Sequence, residues 1–341
     1  MVSADLRTEQ REAAEIPARP RDVQAVSDRG DKIFRAVLVS SGVLVLAITG
    51  AVGIFLTVRA IDALHVAGWK FVTTQAWAPD VHRFGIAAAI PGTVVIALIA
   101  VTVATPISLG TALFISEIAP FRLKRMLISV VDLMAAVPSV VYGLWGFLFL
   151  QGHLIGVARW ISTWLGWVPI FKVPGANPTN PLANNTVYSA SAFIAGVVVG
   201  LMIGPIQCSI MRDVFSQAPA GEREGAIALG STRWGMIRTV VLPFGKGGII
   251  GGTMLALGRA LGETVAVYLI ISLIYKRSFH ILKAGSITVS SLIATRYSDS
   301  SALGLSALFA AGLALFVLTL AVNFAASVVV ARSRSGAQSD V

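Results

Sequence analysis

The chain has 341 residues, of which 55% are hydrophobic and only 13% charged, and a formal charge of +10. This composition excludes an ordinary soluble globular protein, and a single cysteine, Cys208, excludes a disulfide framework or a cysteine-based metal site. The Lys and Arg residues lie between hydrophobic segments instead of clustering on one soluble domain, which argues against nucleic acid and for a membrane-orientation signal.

Residues 1–33 are polar and mixed in charge, and are expected to form a solvated cytoplasmic tail. Ala36 to Val58 is uncharged for 23 residues, enough for a first membrane span. Residues 59–83 predict an external loop with interfacial Trp69 and Trp77. A second span follows over 84–116, with a lead-in around Pro91 and a kink at Pro106. Phe121 to Arg125 predicts a basic internal turn, and the third span is expected to reach about Leu150, enclosing Asp132 and Pro138. Asp132 is expected to pair with Lys124, Arg125 or a helix terminus. Trp160, Trp164 and Trp167 recur at helical spacing, which predicts a separate interfacial or re-entrant helix before a Pro/Asn-rich loop.

The fourth span is expected over 187–211, the fifth over 247–275, an external loop over 276–301 and the sixth span over 302–330. Four-residue glycine spacings at Gly247/Gly251, Gly248/Gly252 and Gly258/Gly262 suit close helix packing. The expected fold is an all-α integral membrane protein: a transmembrane domain over 34–331 between the tail and a short cytoplasmic tail at 332–341. On the tail side lie 17 Lys and Arg, on the other side 9, with Arg259 inside the fifth span. By the positive-inside bias both termini are cytoplasmic; Lys276 and Arg277 run against it.

The segment 212–243 between the fourth and fifth spans is too charged to cross a bilayer. A helix around Glu224 to Leu229 stops at Gly230, and a second short helix runs from Thr232 to Val241 before Pro243, giving an elbow. An ordinary solvated loop is the alternative. Glu224-Gly225-Ala226, three residues, Gly230, nine residues and then Val240-Val241-Leu242-Pro243 resembles the EAA loop of ABC-importer permeases, E-A-A-x3-G-x9-I-x-L-P, with Gly225 for Ala and Val240 for Ile. The resemblance implies that the elbow docks on an ATP-hydrolysing subunit, with Glu224, Gly225, Ala226, Gly230, Leu242 and Pro243 as coupling rather than catalytic residues. The chain has no G-x4-G-K-[ST] phosphate loop, so ATP with its Mg ion belongs to a partner chain and no cofactor is expected here.

Arg259 and Glu263 flank the middle of the expected fifth span, where one arginine costs at least ~2.5 kcal/mol. Four apart on one helix face, they can pair with each other or line a polar path. A guanidinium suits an oxyanion, and a carboxylate beside it accepts a hydrogen bond only from an oxyanion that keeps a proton, as phosphate does and sulfate does not. Arg259-Ala260-Leu261-Gly262-Glu263-Thr264 resembles the signature of phosphate-specific transporter permeases, and Ala135 to Gly146 resembles the third-span segment of their PstC-type subunit. This similarity covers roughly residues 34–330. It implies a path including Arg259, Glu263 and Thr264 in a bacterial inner-membrane heterodimer with a PstA-type permease, a PstB-type ATPase dimer and a PstS-type phosphate-binding protein. The alternatives are an ABC permease for another oxyanion such as sulfate, a secondary oxyanion carrier, and an intramembrane enzyme. The last lacks nucleophile–base or metal-ligand pairs at useful spacing.

Overall fold

The computed structural model describes residues 29–177 and 184–334. The expected N-terminal tail up to residue 28, the last residues of the C-terminal tail and part of the Pro/Asn-rich loop lie outside them. Among the described residues six helices are long and apolar enough to cross a membrane: Arg29–Ala67, Ala89–Ile118, Ser139–Leu165, Ala192–Ser216, Arg233–Leu261 and Ala302–Val328. The chain is a multi-pass membrane protein.

Internal contacts divide the chain after Val52. In the first unit, the described residues 29–52 are helical and all exposed, so apolar side chains such as Leu46 face outward around the whole helix. A helix hydrophobic all round suits an apolar medium rather than water. The helix itself continues through the division to Ala67, nine residues past the last uncharged position. Arg59 and Asp62 thus stand on a helix where a loop was expected.

In the second unit the core is helix on helix. Gly196 and Gly200 of the fourth span lie against the second; a Cβ at Gly200 would sit 2.8 Å from the carbonyl oxygen of Ala100. Gly248 lets the fifth span approach the fourth just as closely, a Cβ there meeting Val214 at 2.6 Å. Small residues lower the contact distance between helices where the hydrophobic effect supplies no force. Around these contacts Ile96, Ala100, Val199, Ile203, Ala256 and Leu261 are buried together. A Cβ at Gly251 would meet open space and one at Gly258 would meet Asn323, so the four-residue spacings serve packing unevenly. Pro106 and Pro205 lie inside their helices without ending them.

The third membrane segment is placed differently from its sequence expectation. Phe121–Ala136 is a separate amphipathic helix, with the expected basic turn as its first turn, and Val137 and Pro138 in extended conformation break the chain before the span begins at Ser139. Proline disfavours helical backbone at the residue before it, so Pro138 marks a boundary and not a kink. Asp132 therefore precedes the span, and its partner is Arg212 of the fourth span at 3.7 Å, not Lys124, Arg125 or a helix end. The span then runs to Leu165, so Trp160 and Trp164 end it and Trp167 follows; all three are exposed, and no separate interfacial helix forms.

The region expected as an external loop over 276–301 contains a helix, Val289–Arg296, opened by a capping box between Thr288 and Ser291. Its first residues are buried beside the start of the second span, where Thr93 Oγ1 accepts from the Val289 amide at 3.0 Å. A two-stranded hairpin, Trp77–Ala78 with Arg83–Phe84, packs nearby through Phe71 and Phe84.

Candidate functional site

The elbow begins where the fourth span ends. Ala220–Ala228 is its first helix, and Gly230, at φ +87°, reverses the chain; the amides of Gly230 and Ser231 donate back to Ile227 and Ala226 at 2.9 and 3.1 Å. That backbone region costs an L-residue about 1–2 kcal/mol, which accounts for glycine at this position. Thr232 then caps the next helix by accepting from the Gly235 amide. This helix does not stop before Pro243. Arg233–Met236, a widened π turn at Ile237–Val241, and Leu242–Leu261 form one continuous run that is itself the fifth span. Pro243 falls at the start of the last piece, where the clash of its ring with the carbonyl four residues back is taken up in the wider turn.

The elbow has an inner and an outer side. Ala226 packs inward on a cluster that includes Phe215, Met236, Ile237 and Val241, with Leu242 beside it. Glu224, Gly225, Ile227, Leu229 and Trp234 are exposed, Leu229 at 90%. Arg223 fastens the first helix to two spans at once. Its Nη1 lies 3.3 Å from Glu117 Oε1 at the end of the second span, and its Nη2 donates to the Phe215 carbonyl at the end of the fourth. The Glu117 side chain is only 4% exposed, so this ion pair is largely withdrawn from water. Sequence reasoning missed Glu117, which sits at the edge of an apolar run with no motif around it.

At the far end of the fifth span the chain breaks. The helix ends at Leu261, Gly262 to Thr264 are irregular, and a short helix resumes over Val265–Ile270. Arg259 and Glu263 therefore do not share a helix face, and among the described residues they form no ion pair. Glu263 is buried, its Oε1 accepting from the Ala266 amide at 3.2 Å and its carbonyl from Ser290 Oγ at 2.8 Å. It thus caps the resumed helix and ties it to Val289–Arg296. Thr264 is half-buried, its hydroxyl donating to the Gly262 carbonyl. Arg259 is exposed and makes no hydrogen bond or ion pair among the described residues. A second polar group missed in the sequence is Gln207, buried among three spans, whose Nε2 donates to Thr105 and Thr253 at 2.9 and 2.8 Å.

Comparison with known proteins decides what this architecture is. The family model described as the inner membrane component of binding-protein-dependent transport systems matches residues 104–335. The chain belongs to this permease family. The phosphate transport system permease protein PstC 2 of Mycobacterium tuberculosis is 39% identical to this permease over 302 residues, spanning 87% of the chain and 91% of the relative. PstC of Mesorhizobium japonicum is 36% identical over 290 residues, spanning 85% and 86%. Among solved structures, a chain of a bacterial alginate ABC transporter in complex with an alginate-bound periplasmic protein superposes with a TM-score of 0.57, at 16% identity, covering 91% of this permease and 98% of that chain. A chain of the inward-facing MetNI methionine ABC transporter gives 0.51 at 14% identity, covering 73% and 95%. At these identities the likeness concerns the fold, which is that of type I ABC importer permeases.

Proposed function

We propose that this permease forms half of the membrane path of an ATP-driven importer of inorganic phosphate and couples that path to a separate ATPase. The observation that carries the reading is the elbow: EAA spacing, glycine at its φ-positive corner, and an exposed apolar rim of Ile227, Leu229 and Trp234 for a soluble partner. Both termini and the elbow are then cytoplasmic, in line with the excess of Lys and Arg on that side. The permease is not itself catalytic; a PstB-type ATPase dimer binds ATP and Mg, a PstA-type permease supplies the other half of the path, and a PstS-type protein delivers phosphate from outside. Closure of the ATPase reaches the second and fourth spans through Arg223 and the fifth directly.

The substrate contact is assigned to Arg259, whose guanidinium, without a partner among the described residues, suits an oxyanion. Glu263, held at the break beside it in sequence, supplies a carboxylate that favours an oxyanion retaining a proton, and Thr264 completes the break. The PstC names of relatives at 34–39% identity over most of the chain support phosphate as that oxyanion. In cells lacking the native permease, labelled phosphate uptake is expected to fall at least tenfold with Arg259→Gln at unchanged membrane levels. Uptake by the reconstituted permease down an ion gradient, without an ATPase, would instead establish a carrier.

A further inference from the structure

Lys276 and Arg277 break the charge bias of the chain, and the fold gives them a setting. They line a cavity of about 580 Å³ together with His280 and Lys283, walled by apolar groups such as Pro169 and Phe279. Among the described residues no carboxylate lines it. The loop is anchored where the fourth span starts: the Ala284 amide donates to the Val187 carbonyl at 2.7 Å and the Phe193 amide to that of Ile281 at 3.0 Å. That span ends 25 residues later at the elbow, which puts the cavity about 37 Å of helix away from it. Arg277 is held in place by its Nε donating to the Ala87 carbonyl at 3.3 Å, and His280 by its Nδ1 donating to that of Pro169 at 2.9 Å.

We propose that this cavity is a second anion site, which collects a small inorganic oxyanion at the mouth opposite the elbow before it enters the membrane path. The proposal rests on the importer reading above. Three full cations around one concavity with low-dielectric walls focus a positive field and raise the local anion concentration. The volume falls within the roughly 300–1,000 Å³ of small-ligand sites, ample for an oxyanion with part of its hydration shell. The four basic side chains line one concavity rather than a raised face, which favours a small anion over an acidic protein surface. With Nδ1 engaged by Pro169, Nε2 is the ring nitrogen of His280 left to meet a ligand.

The test is equilibrium binding of radiolabelled inorganic phosphate to the purified full-length permease without its binding protein. It compares the parent chain with K276Q/K283Q, K276R/K283R and R259Q. The expected result is at least a tenfold loss of affinity in K276Q/K283Q and retention in the arginine pair, with R259Q reading out any binding at the membrane path. In cells, K276Q/K283Q is expected to raise the half-saturating phosphate concentration while leaving maximal uptake near that of the parent. Absence of phosphate binding to the parent, or binding lost in R259Q and kept in K276Q/K283Q, overturns the site. Weakened capture of the soluble binding protein with phosphate affinity intact makes the patch a protein-docking surface and overturns it too. Cavity binding by a chain whose deletion leaves phosphate uptake unchanged would sink the importer reading and spare the site.

Discussion

Glu263 has a structural task and a proposed chemical one, and the two can be separated. Its Oε1 caps the Val265–Ile270 helix, and an amide oxygen in that place accepts the same hydrogen bond from Ala266. Glu263→Gln is therefore expected to keep the thermal stability of the parent to within about 0.5 kcal/mol, whereas Glu263→Ala forfeits a cap worth about 1 kcal/mol. If the charge favours protonated oxyanions, the Gln variant should also narrow the preference of uptake for phosphate over sulfate. A melting series in detergent and a competition assay read the two tasks apart. At the elbow the two glycines behave oppositely. Gly230→Ala is expected to cost about 1–2 kcal/mol because its φ is positive. Gly225 has open space at its Cβ position and lies within a helix, so Gly225→Ala should gain about 0.5–1 kcal/mol. The alanine of the family pattern thus fits there, and its absence has no steric cause.

The elbow was legible in the sequence because Gly230, Thr232 and the charges around them are local signals: a φ-positive corner, a cap and solvated side chains. The end of its second arm was not. Pro243 ordinarily stops a helix, but the π turn at Ile237–Val241 absorbs its ring, and such a turn has no one-residue signature. For the same reason the break at Gly262 escaped notice, since an apolar run with glycines reads as one span whether or not its backbone is continuous. The ion pair between Arg223 and Glu117 joins residues more than a hundred positions apart, beyond any periodicity argument. Neutralising one member leaves the other buried. Arg223→Gln, which strands Glu117, is accordingly expected to lower membrane levels more than Arg223→Gln with Glu117→Gln, by about 3 kcal/mol in a double-mutant cycle on thermal stability. The double variant is expected to hydrolyse ATP in complex with its partners while transporting poorly, because the fastening of the elbow to the second span is gone. Normal transport by that variant would show that the fifth span alone suffices.

Across the whole molecule, the elbow and the basic cavity mark the two ends of the second unit, and the chain offers a clean way to locate them. Cys208 is its only cysteine and is 2% exposed. In a Cys208→Ala background, Leu229→Cys is expected to react with an impermeant maleimide only in inverted vesicles, and Phe279→Cys only in intact cells. The reverse pattern would invert the proposed orientation. The 29-residue helix Arg233–Leu261 runs from the elbow to the break and carries Arg259 in its last turn. Past the π turn a single α-helix, Leu242–Leu261, preserves phase: the azimuth of the guanidinium is indexed to that of Pro243 at the start of this helix. One residue inserted between Pro243 and Arg259 would rotate the guanidinium by about 100° and advance it ~1.5 Å, like a gear meshed one tooth out.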